Sequence, residues 1–242
     1  NLMEDKILES IYESNKNWVS VEVVLNKSLT PSELFNLTEK QAGDRFYLRL
    51  NDNMSSFFGY HAIQRFKNNF ENKQSIFREW EKFKNVNTQK HHLKIVGGFQ
   101  FSNHKSDDEW REFGINHFVV PEVLISSVNN QTILTYTVEK AQFEMEKLNQ
   151  MINYFENAQV DTTERETALG NVTRMEDIYV DEWKDLVSQT IEQLDKDKKV
   201  VLARRRLIKF DKPISIPYVL NRALNNEKNS YLFILEANQS VF

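Results

Sequence analysis

The 242-residue sequence has no cysteine, four prolines, six glycines and no long apolar run. Without cysteine there is no disulfide, no thiol nucleophile and no cysteine-ligated metal, a usage that fits a reducing compartment. No stretch approaches the ~20 apolar residues that a bilayer-crossing helix needs. The opening residues, Asn1 to Ser10, are polar and of mixed charge, unlike the basic and apolar regions of a secretory signal. A charge excess is missing too: 31 basic and 35 acidic residues leave a formal charge of −4. A dedicated nucleic-acid binder would carry a basic excess or stripe, so nucleic acid is not the expected partner. These absences give the expectation of a cytoplasmic protein with no membrane span. They do not fix its oligomeric state.

What is present is a globular composition. Hydrophobic residues make up 40% of the chain, with 17 Phe, 8 Tyr and 4 Trp to fill a core. Period-two and β-branched runs predict strands over Trp18–Leu25, Arg45–Leu50, Met54–Phe66 and Leu93–Phe101. Asn51-Asp52-Asn53 is the expected turn between the second and third, which favours antiparallel pairing. A hairpin is expected from Phe118–Ser127 and Gln131–Val138 around Asn129-Asn130. Helical spacing predicts a helix over 74–84 with Ile76, Phe77, Trp80 and Phe83 on one face. A second carries Ala141, Met145, Leu148, Ile152 and Phe155. Residues 161–171 are polar and read as a linker or mobile loop. A third helix, 178–194, places Tyr179, Trp183, Leu186, Val187, Thr190, Ile191 and Leu194 together. A strand over Lys199–Phe210 follows. Next come a helix from Pro217 to Leu224 with Ser215 as N-cap, and a last strand, Tyr231–Ala237. The expected class is α+β, with mostly antiparallel sheets and packed helices. No Gly-rich strand-to-helix turn of a nucleotide-binding unit is present.

Chemistry concentrates in Lys198-Lys199-Val200-Val201-Leu202-Ala203-Arg204. On a strand, Lys199, Val201 and Ala203 share a face, with Arg205 continuing it. Two readings follow. A lysine held among apolar neighbours loses charge and can act as a general base. Alternatively, Lys199 simply begins an exposed strand beside Lys196 and Lys198. Other features read more simply as structure. His91-His92 lacks spaced metal-ligand partners. Gly97-Gly98 suits a bulge or close backbone approach more than a phosphate cradle. Trp110, Phe113 and Phe118 suit core packing more than ligand stacking. Arg204-Arg205-Arg206 would alternate in direction and form no single anion patch. Glu176, Glu182 and Glu236 read as surface carboxylates.

The run from Trp183 through Val187 and Ile191 to Lys199-Val200-Val201-Leu202-Ala203-Arg204 resembles the opening of the chorismate-binding module. That module is shared by isochorismate, salicylate, anthranilate and aminodeoxychorismate synthases. Upstream, Val96-Gly97-Gly98-Phe99-Gln100-Phe101, Trp110, Phe113 and Phe118-Val119-Val120-Pro121 are similar to the family's "GG-x-x-F … W-x-x-F … P" pattern. The first ninety or so residues match loosely, with Gly59-Tyr60-His61 where relatives tend to carry a glycine-rich strand. The family's usual glycine shortly before the lysine is missing from Leu194-Asp195-Lys196-Asp197. In this family, water-adding members carry lysine at the position of Lys199, and ammonia-adding members typically glutamine. Within the family the chain resembles the menaquinone-pathway isochorismate synthases.

The resemblance implies the N-terminal half of the anthranilate synthase component I-like α/β sandwich. It divides the chain into an N-terminal α+β region (1–160), a linker or mobile loop (161–173) and the start of the chorismate-binding module (174–242), continuing beyond Phe242. It implies chorismate as the small-molecule substrate. Lys199 would be the general base that draws a proton from water attacking C2 as the C4 hydroxyl leaves. Arg205 would lie near the substrate. It also implies Mg²⁺, with the metal-binding and acidic glutamates beyond residue 242, so no metal ligand and no turnover are expected within these residues. Alternatives are a salicylate synthase of the same family and a non-catalytic interaction domain.

Overall fold

The computed structural model of the protein describes residues 1–52, 54–67, 73–88, 93–102, 107–159 and 169–242. Its helices are α1 (Leu2–Glu13), α2 (Pro31–Leu37), α3 (Lys73–Asn85), α4 (Met145–Asn157), α5 (Val180–Gln193) and α6 (Ile216–Asn226). The strands are β1 (Trp18–Leu25), β2 (Arg45–Arg49), β3 (Ser56–Lys67), β4 (Val96–Phe99), β5 (Asn116–Val128), β6 (Gln131–Glu139), β7 (Val172–Ile178), β8 (Arg205–Phe210), β9 (Leu232–Ala237) and β10 (Ser240–Val241). Two compact units result: residues 1–162 together with 220–242, and residues 163–219.

The first unit is built on one antiparallel sheet, ordered β1-β6-β5-β3-β2-β9-β10, with β4 added beside β5. The long strand β5 organises it. β3 pairs along one edge of β5, while β4 and then β6 share the other. The β5–β6 hairpin turns at Asn129 and Asn130, with φ of 52° and 62°. Two successive left-handed residues match the right-handed twist of the flanking strands, and asparagine tolerates that conformation best after glycine. Pro121 sits within β5 and has no N–H for the ladder. Opposite it the register steps from Ala62↔Pro121 to Gln64↔Val120, which makes Ile63 the extra residue of a bulge.

Apolar periodicity explains how the layers close. In β1, Val19, Val21, Val23 and Leu25 are buried while Val24 is 53% exposed. The N-cap Thr30 accepts from Glu33 N–H, and Pro31 opens α2, which sets Phe35 edge-on to Phe58 at 5.1 Å. α4 buries Leu148 and Phe155, and Phe155 reaches Tyr60. Ala141 precedes that helix, in a 3₁₀ turn. α3 packs Ile76 and Phe83 with Phe66, Leu93 and Val120, with Trp80 partly buried against them. Phe77, expected on that face, is 57% exposed. It stands about 100° around the helix from Ile76, outside the stripe that 76, 80 and 83 define. Asn53 of the expected 51–53 turn, His91-His92 and residues 160–168 lie outside the described residues.

The second unit is sparse. β7 and β8 form a two-stranded antiparallel sheet from Val172↔Phe210 to Ile178↔Arg205. Tyr179, in the left-handed region at φ 54°, turns the chain directly into α5. The strand expected from Lys199 therefore begins only at Arg205. β7 ends opposite Arg205, so residues 199–204 have no partner there and run irregularly. α5 follows the expected helix, but the face read as apolar is open: Leu186 is 48% exposed and Ile191 69%. None of the described residues from 169 to 219 is buried. α6 starts where expected, with Ser215 Oγ accepting from Tyr218 N–H at 3.3 Å.

Candidate functional site

Lys199 lies on the irregular segment before β8 and is exposed. Its expected apolar companion Val201 is 80% exposed, and Val200 is 50% exposed. Because 199–204 is not extended sheet, strand alternation does not carry from Lys199 to Arg205, and the shared face expected for them is corrected. Arg205 is also exposed, at the first position of β8 opposite Ile178. Its neighbours have other tasks. Arg206 grips Asp177 directly across the two strands, Nε to Oδ1 at 2.6 Å and Nη2 to Oδ2 at 3.1 Å. That fork holds the Asp177 carboxyl below the usual carboxylate range. Arg204 stands 5.7 Å from the Trp183 ring centroid, a cation–π distance.

The first unit contains two polar clusters that sequence reading did not find. Glu236, expected at the surface, is 4% exposed and closes a buried fork with Arg45: Nη2 to Oε1 at 2.6 Å and Nε to Oε2 at 2.8 Å. Gly43 N–H donates to the same carboxylate, and Arg45 Nη1 donates to the carbonyls of Phe35 and Thr38. The correction has a topological cause. β9 inserts beside β2 and brings position 236 into the interior. Only the pairing of residues nearly two hundred apart could have signalled it.

The second cluster centres on Glu122 of β5. His61 Nδ1 lies 3.2 Å from Glu122 Oε2, and Lys147 Nζ lies 3.5 Å from Oε1. His61 takes up a left-handed backbone conformation, φ 59°, next to the β3 bulge. Burial, then the charges of Glu122 and Glu144, push the Tyr136 phenol up to about 12. Burial also raises Tyr60, with Glu122 adding to it. Both phenols therefore stay protonated near neutral pH and are structural rather than basic groups.

Mg²⁺, implied by the resemblance, requires several hard oxygen ligands. Among the described residues, no group of three or more His, Asp or Glu side chains is placed to hold a metal ion. The residues present do not fit that group. Nor, among the described residues, is any helix long and apolar enough to cross a membrane.

Comparison with known proteins gives these observations a context. The isochorismate synthase MenF of Bacillus subtilis is 26% identical over 238 residues, which covers 89% of this chain and 50% of that protein. The solved structure of MenF, the menaquinone-specific isochorismate synthase from Escherichia coli, superposes with a TM-score of 0.64 at 14% identity. That match covers 97% of this chain and 52% of the other, and shows a common fold. The chain thus spans about half the length of the relatives it matches. Residues 6–242 match the family described as chorismate binding enzyme. With its mixed α+β architecture and antiparallel sheets in place, the chain belongs to the chorismate-binding enzyme family.

Proposed function

We propose that this chain is the opening half of an isochorismate synthase acting in menaquinone formation, with Lys199 as the base that activates water. The observation that carries this reading is the lysine at the head of Lys199-Val200-Val201-Leu202-Ala203-Arg204, in a chain whose family match runs through that segment. Water is a poor nucleophile until a positioned base removes its proton as it attacks. In the proposed reaction the Lys199 amine accepts that proton, oxygen bonds to C2 of chorismate, the ring double bonds shift, and the C4 hydroxyl departs as water after taking a proton from a glutamic acid of the rest of the module. Arg205 contributes positive charge near the anionic substrate. The amine must be neutral to do this, which requires apolar cover. Lys199, Val200 and Val201 are exposed, so in this reading the rest of the module supplies that cover. Open apolar side chains in the second unit support this: Ile191, Val201 and Ile214 are 69%, 80% and 55% exposed. No step is assigned to a metal, since the described residues hold no site for one.

The test is to incubate the full-length protein containing these residues with chorismate and Mg²⁺ and to identify the products. Isochorismate is expected. Salicylate with pyruvate would replace this reading with that of a salicylate synthase. No conversion by a folded full-length protein would leave an interaction domain.

A further inference from the structure

We draw no further inference here: the strongest candidate, the His61–Glu122–Lys147 cluster where β3, β5 and α4 meet in the first unit, turns its imidazole and its amine onto one carboxylate, and nothing in the structure points to a ligand that it would hold.

Discussion

Arg45 and Glu236 show how much one buried fork can fix. The pair is almost fully withdrawn from water, and Arg45 Nη1 donates to the Phe35 and Thr38 carbonyls at the C-terminal end of α2 while Gly43 N–H completes the carboxylate. Removing one member strands a buried charge, which costs about 3–5 kcal/mol. Arg45→Ala should therefore lower unfolding free energy by roughly that amount in a urea titration. The double substitution Arg45→Met with Glu236→Leu should recover much of the loss, because it leaves no charge behind. If Arg45→Ala proved as stable as the parent, the fork would not hold β2 to β9.

At the scale of elements, the β5–β6 hairpin is set by two asparagines. A β-carbon without a polar side chain is strained in the left-handed region by about 1–2 kcal/mol, so Asn130→Ala should destabilise the first unit by about 1 kcal/mol. Urea unfolding checks this, and an unchanged midpoint would contradict it. This hairpin was legible in the sequence because turn chemistry and strand alternation are local. So were α4, the N-cap of α6 and all but one position of the α3 stripe. Two kinds of feature were not. The bulge opposite Pro121 and the Arg45–Glu236 fork depend on which strands become neighbours, which local patterns do not encode. The strand expected from Lys199 failed for the same reason. Val200, Val201 and Leu202 have strand propensity, but a strand exists only where a partner supplies hydrogen bonds, and β7 ends at Ile178.

For the whole molecule, the contrast between the two units matters most. The first buries Val19, Val123, Leu134, Tyr136 and Leu148 completely, whereas the described residues of the second bury none. A lone two-stranded sheet is marginally stable in water. In the 242-residue chain, amides of β7, β8 and α5 should exchange with solvent about 100-fold or more faster than those of β5. Equal protection of β8 and β5, read by hydrogen exchange with mass spectrometry, would contradict this picture. The motif of the proposed base was readable in the sequence through its resemblance to a family. Its surroundings were not, because residues 199–204 form no strand and leave Lys199, Val200 and Val201 exposed.

The most direct measurement is chorismate turnover by full-length protein carrying Lys199→Gln, compared with the parent at equal fold content by circular dichroism. If the Lys199 amine activates water, isochorismate formation falls at least ~100-fold, the usual worth of a positioned general base, while the thermal midpoint is unchanged. Turnover within a few-fold of the parent in a folded Lys199→Gln protein would contradict the assignment.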